Sequence, residues 1–201
     1  MATRIASFCE TNEVFHQGQF GCCRGKGTLD AVAQLAAKVE NAWSNKRTAL
    51  TLLLDIKGAF DRVNKKQLLK RMVHIGIAGN IVRWVDSFLS GRRAMLVIDG
   101  RTGETRDIQA SLPQGSPVSP VLFILSVSGM FSWLEERHPK LQAISFVDDI
   151  GLVVECGEVE DGARQLERIA IDAIQWGSDN KVEFEVSKTE VLVFSRRRKV
   201  L

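Results

Sequence analysis

The stretch Leu141-Gln142-Ala143-Ile144-Ser145-Phe146-Val147-Asp148-Asp149-Ile150-Gly151-Leu152-Val153-Val154 is two apolar runs joined at a pair of adjacent carboxylates. Runs of this length, rich in β-branched and aromatic residues, predict two β-strands joined at an acidic hairpin turn. The nearest basic residues in sequence are Lys140 and Arg164. Two like charges side by side destabilise a partly buried site unless a cation binds or one carboxylate takes up a proton. A divalent metal held by hard oxygen ligands would satisfy the pair. The alternative is a plain exposed turn, since Asp is a common turn residue. The rest of the chain decides between the two.

Upstream, Ala49–Leu54 is a continuous apolar run ending in Asp55, the pattern of a buried strand. Asp55 and Asp148 thus both sit at strand ends, 93 residues apart, and adjacent strand ends can bring such carboxylates to one point. Thr28–Trp43 carries Leu29, Val32, Leu35, Ala36 and Val39 at helical spacing. Asn64–Ile75 reads as a second helix, with Asn64 and Gln67 as a capping pair and Gly76 as its stop. Asn80–Ser90 is a third, closed by Gly91, and Asp99-Gly100 between Arg92–Ile98 and Thr102–Ala110 is a strong hairpin signal. The Pro/Ser/Gly loop Pro113–Pro120 opens a long helix, Val118–Arg137; a further helix is expected over Glu158–Trp176, then short strands at Val182–Val186 and Glu190–Phe194. Met1–Gly27 reads as irregular. This order predicts an α+β fold, an antiparallel sheet covered by helices on one face.

A chain of 201 residues is long enough for one well-filled core. Its net charge of +3 is too mild to argue for nucleic acid on its own. Cys9, Cys22, Cys23 and Cys156 lack metal-ligand spacing, and adjacent Cys22 and Cys23 do not readily pair, so reduced thiols and an intracellular setting are expected. No apolar run approaches the length of a membrane span, and Met1–Glu10 lacks a secretory apolar segment, so no membrane partner is expected.

Three motifs, weak singly, are specific together. Leu52-Leu53-Leu54-Asp55-Ile56-Lys57-Gly58-Ala59-Phe60-Asp61 resembles the first palm motif of reverse transcriptases. Leu112-Pro113-Gln114-Gly115-Ser116-Pro117 is similar to their second, and Phe146-Val147-Asp148-Asp149 to their third. Gln17-Gly18-Gln19-Phe20-Gly21 through Thr28-Leu29-Asp30-Ala31 resembles the fingers segment of non-LTR (LINE-type) retrotransposons, and Lys188-Thr189-Glu190 the motif closing their palm. The resemblance implies a right-hand polymerase in which residues 1–48 are a partial fingers segment. Residues 49–195 would be the palm, with a fingers insertion at about 62–110, and 196–201 a basic tail. The thumb is expected to be absent.

The implied activity is RNA-directed DNA polymerisation: transfer of a nucleotide from a dNTP to a primer 3′-OH on an RNA template, with two Mg²⁺ or Mn²⁺ ions clamping the displacement. The alternative is an inactive retrotransposon relic that at most binds nucleic acid. By the resemblance Asp55, Asp148 and Asp149 are the metal ligands, with Asp149 ranked third. Phe60 is the bulky side chain that excludes a ribose 2′-hydroxyl, and Gln114 and Gly115 line the nucleotide. Arg24 and Lys26 would neutralise the triphosphate, against the alternative of solvated loop charges. Lys188 is the expected general acid for pyrophosphate, against an ordinary surface lysine. Lys65 and Lys66, with Arg92 and Arg93, are candidates for template or primer phosphates, although a solvated helix face is the commoner explanation for such runs. The nucleus is the expected compartment, a mitochondrial one the alternative.

Overall fold

A computed structural model describes residues 1–108 and 112–196. Thr48–Asp55 (β1), Gln142–Phe146 (β4), Asp149–Cys156 (β5) and Glu190–Phe194 (β6) form one antiparallel sheet in the order β4-β5-β1-β6. Arg93–Ile98 (β2) and Arg101–Asp107 (β3) form a separate hairpin. The helices are Ala2–Thr11 (α1), Thr28–Ser44 (α2), Lys65–His74 (α3), Gly79–Phe88 (α4), Ser119–Arg137 (α5) and Val159–Asn180 (α6). No helix among the described residues is long and apolar enough to cross a membrane. The basic run 197–201 and the Ala110 end of the second expected hairpin strand lie outside the described residues.

Helices cover the sheet on both faces rather than one. Leu50, Leu52 and Leu54 of β1 join Ile150, Leu152 and Val154 of β5 in the main core, with α5 and α6 above them and Leu68 and Met72 of α3 beyond. On the opposite face Ala31, Val39 and Ala42 of α2 meet Ile144, Val153 and Ala49. A strand buried along nearly its whole length needs cover on both sides, and β1, with Thr48–Leu52 and Leu54 buried, is such a strand. α5 is buried on nearly every side over Val121–Phe131 and occupies the centre. It is tied to α3 by Arg71, whose Nε donates to the Leu125 carbonyl (2.9 Å) and to Ser128 Oγ (3.1 Å).

Two further expectations are corrected. Met1–Gly27 is not irregular throughout, because α1 buries Ile5 and Cys9 completely in the main core. Those residues are four apart, on one helical face. Val182–Val186 is not a strand: Phe184 makes a single antiparallel bridge to Ile56. Glu185 N–H donates to the Asp55 carbonyl (2.9 Å), and the chain then turns through a 3₁₀ helix over Val186–Lys188. The reason lies in β1, whose edge takes Phe184 beside Ile56 and then β6 from Leu53 onward, so the residues between are looped out next to Asp55.

Capping follows the local chemistry. Asn64 Oδ1 accepts from Gln67 N–H to start α3. At the start of α5, which has no side-chain cap, Ser119 donates its hydroxyl proton back to the Pro113 carbonyl (2.7 Å) and ties the helix to the preceding loop. Asp99 and Gly100 both adopt positive φ, as a two-residue hairpin turn requires.

α6 closes on the Val182–Glu183 segment at Gly177, where a Cβ would stand 2.5 Å from the Val182 carbonyl oxygen and 3.0 Å from the Phe184 ring. Gly177→Ala is therefore expected to cost about 1–3 kcal/mol by overpacking. Gly157→Ala, with nothing within 4 Å, should stay within about 0.5 kcal/mol. Urea denaturation of the two variants checks both.

Candidate active site

The ladder between β1 and β5 pairs Asp55 directly with Asp149, and β4 pairs Phe146 with the same Asp149. Val147 and Asp148 are thus the two turn residues of the β4–β5 hairpin, and Asp149 opens β5. Val147 sits at φ +60. For a β-branched residue that conformation costs on the order of 1–3 kcal/mol and persists only when its surroundings enforce it. Asp55 and Asp149 line a cleft of about 510 Å³ with Leu53, Phe146, Gly151 and Lys188. Its floor is the sheet face on which α2 packs.

Lys188 stands at the end of the looped-out 3₁₀ turn and donates from Nζ to Asp55 Oδ2 at 2.8 Å. That bond and the Asp55 charge hold the Lys188 ammonium above the ordinary lysine range. The Asp149 carboxyl is pushed up by burial first, then by the charges of Asp148 and Asp55, with Lys188 opposing them. Among the described residues no three His, Cys, Asp or Glu side chains close on a single point. The chemistry of the donor set nevertheless fits a hard divalent cation. Asp55 and Asp149 face one another with Asp148 adjacent, their mutual repulsion registers on Asp149, and the cation now on Asp55 is an ammonium.

The other candidate residues lie at varying distance from this point. Phe60 stacks obliquely on Phe123 of α5 (5.4 Å between centroids), and its carbonyl accepts from Leu112 N–H (2.9 Å), which ties the first motif to the second. Gln114 and Gly115 are exposed, with Gly115 at φ +83 and open space where a Cβ would stand. Arg24 and Lys26 are not brought to the carboxylates; they line a different cleft, with Glu10, Glu13 and His16. The Lys26 ammonium is folded back onto the carbonyls of Gln17 (2.7 Å) and Gln19 (3.0 Å) and over the Phe20 ring. Lys65 pairs with Asp86 and Arg93 with Asp107, while Lys66 is exposed and the Arg92 carbonyl accepts from Ile108 N–H. Two residues near the site carried no signal of their own in the sequence. Glu183 pairs with both Lys57 and Arg62 behind β1. Gln19 reaches the acidic turn, and only its flanking glycines, Gly18 and Gly21, hint at close backbone approach.

A four-stranded antiparallel sheet backed by helices, with carboxylates at the ends of its two central strands, is a palm-like fold. The family model described as reverse transcriptase (RNA-dependent DNA polymerase) matches residues 1–201, and the chain belongs to that family. Among curated relatives, the probable RNA-directed DNA polymerase from transposon X-element of Drosophila melanogaster is 25% identical over 99% of this chain and 22% of its own length. The RNA-directed DNA polymerase from the mobile element jockey of the same species is 24% identical over 96% of this chain and 21% of its own length. The chain therefore spans about a fifth of these relatives. Among solved structures, telomerase from Candida albicans in complex with a fragment of telomeric RNA superposes at a TM-score of 0.71, with 14% identity, over 99% of this chain and 35% of that one. Apo telomerase from Candida tropicalis truncated from its C-terminal domain gives 0.69 and 15% over 98% and 40%.

The raised Asp149 pKa has a direct consequence for stability. Ionised Asp149 opposes folding, so the protonated form's advantage is lost as pH rises through its raised folded value and is complete below the ordinary carboxylate range. Asp149→Asn should stabilise the protein at pH 7, by under about 1 kcal/mol given solvent screening. The gain should vanish at acid pH, as thermal denaturation of both proteins across pH would show.

Proposed function

We propose that this chain is the palm and partial fingers of an RNA-directed DNA polymerase, extending a DNA primer on an RNA template by nucleotidyl transfer from dNTPs. The observation that carries the reading is the register of β1 against β5, which sets Asp55 opposite Asp149 beside the Asp148 turn on the floor of an open cleft. Asp55, Asp148 and Asp149 would hold two Mg²⁺ or Mn²⁺ ions, which when bound supply charge stabilisation for in-line displacement at the α-phosphate. Lys188, kept protonated beside Asp55, holds a proton at Nζ where the departing pyrophosphate can accept it. Phe60 borders the sugar and rejects an added 2′-oxygen by bulk. The open approach over Gly115 lets backbone meet the nucleotide while Gln114 hydrogen-bonds its sugar or base. Template and primer phosphates fall to Lys66 and, after exchange of their surface ion pairs, to Lys65 and Arg93, since such pairs are worth little in solvent.

A second reading, binding of hybrid duplex without extension, is favoured by one observation: the ammonium already seated on Asp55 satisfies that carboxylate without a metal. Primer extension on an RNA template with Mg²⁺ or Mn²⁺ and dNTPs separates the two. Extension that Asp148→Asn lowers by at least about 10²-fold, the scale of losing a main electrostatic stabiliser, supports the polymerase. Salt-sensitive duplex binding with no extension by the wild-type chain supports the second reading.

Phe60→Ala, tested in the same assay with ribonucleotides, should relax discrimination against rNTPs by roughly 10–200-fold. Unchanged discrimination would remove Phe60 from the sugar site.

A further inference from the structure

Gly18–Gly21 runs along the outer edge of β4. Ser145 N–H donates to the Gly18 carbonyl (2.8 Å) and Phe20 N–H to the Ser145 carbonyl (2.8 Å), a parallel bridge centred on Gln19 and Ser145. The two glycines permit this approach. A Cβ on Gly18 would lie 1.9 Å from the Ala143 carbonyl oxygen, and one on Gly21 would lie 2.5 Å from Val147 Cγ2 and 2.6 Å from the Val147 nitrogen. Gln19, 2% exposed, is carried with them into the sheet edge. Its side-chain Oε1 accepts from Gly21 N–H (3.0 Å) and from Val147 N–H (3.3 Å). Val147 is the residue held at φ +60, one position before Asp148.

We infer that Gln19 is a positioning residue for the candidate metal-binding carboxylates, a clamp that holds the strained Val147-Asp148 turn in the conformation that keeps Asp148 next to Asp149 at the start of β5. The physical argument is local. A valine released from φ +60 relaxes to negative φ, and the peptide plane that follows rotates with it, changing where Asp148 sits relative to Asp55 and Asp149. An amide oxygen buried at the sheet edge penalises that release, because Val147 N–H and Gln19 Oε1 would both lose a buried partner. The fingers segment thereby sets palm geometry through one side chain. The positioning role rests on the proposed polymerase reading; the clamp does not.

Three proteins test it: Gln19→Met, which keeps the bulk and deletes the acceptor; Val147→Gly, which takes φ +60 without strain; and the double variant. Amide exchange at Val147 reads the clamp alone. Gln19→Met should speed it by about tenfold or more while Leu152 in mid-sheet is unmoved, and equal Val147 rates in wild type and variant would overturn the clamp. Mn²⁺ affinity by electron paramagnetic resonance reads the positioning. Gln19→Met should weaken it by about tenfold, the scale of losing an outer-shell partner. Val147→Gly in that background should restore it to within about threefold, because the strained backbone no longer needs holding. A purely structural role for Gln19 would show no such rescue, and its absence overturns the inference even if Gln19→Met folds poorly, because Val147→Gly alone still reports whether the turn governs affinity. Wild-type binding of Mn²⁺ with Gln19→Met unchanged sinks the positioning role only. No Mn²⁺ binding by wild type sinks the polymerase reading and the positioning role together, while the exchange rates still decide the clamp.

Discussion

Antiparallel pairing admits no adjustment: once β1 and β5 bond residue by residue from Thr48–Cys156 to Leu54–Ile150, Asp55 and Asp149 must face each other. Their repulsion cannot be relieved by sliding, since a slip of one residue would turn the leucines of β1 out of the core. The core thus holds two like charges together. Everything around the cleft reads as a response to that: the ammonium of Lys188, the upward push on Asp149, and the partial exposure that lets water share the load.

The two edges of the sheet answer the same constraint in different ways. At β6 the ladder is interrupted so that Val186–Lys188 loops out and delivers a cation to the end of β1. At β4 the chain before α2 lies along the strand and touches the turn through Gln19. Both devices are backbone irregularities flanking regular strands, and both act on the one end of the sheet where the carboxylates gather. Arg71 shows how differently the interior is managed: its guanidinium lies between α3 and α5, bonded to neutral oxygens, and burial draws its pKa down.

Much of this could be read from the residues alone. The apolar runs, the Asp-Asp pair and the spacing of the three motifs prescribe the strands, the long central helix and the palm family, because strand periodicity and turn chemistry are local properties. What escaped is non-local or unmarked. α1 has neither a side-chain cap at its start nor a glycine stop, so only the spacing of Ile5 and Cys9 betrays it. Val182–Val186 has strand composition but loses its partner to the geometry of β1, a fact written elsewhere in the chain. The double-sided burial of the sheet follows from α2 packing across Ala49 and Val153, which a one-face pattern does not anticipate. The resting place of Lys26, on loop carbonyls away from the carboxylates, depends on long-side-chain torsions that composition does not encode.

The central position of β1 also has a bearing on synthesis. Its neighbours β5 and β6 lie some 94 and 135 residues further on at Asp149 and Glu190, so the strand has nothing to pair with when it leaves the ribosome. At about 5–20 residues per second, roughly 5–20 s separate Asp55 from Asp149. For that interval a mostly apolar strand waits with both faces and both edges bare, as long-range pairing of this kind must be closed against loop entropy before any contact rewards it. The register that gathers the carboxylates is among the last features of the molecule to form, and the nascent chain depends on transient shelter until it does.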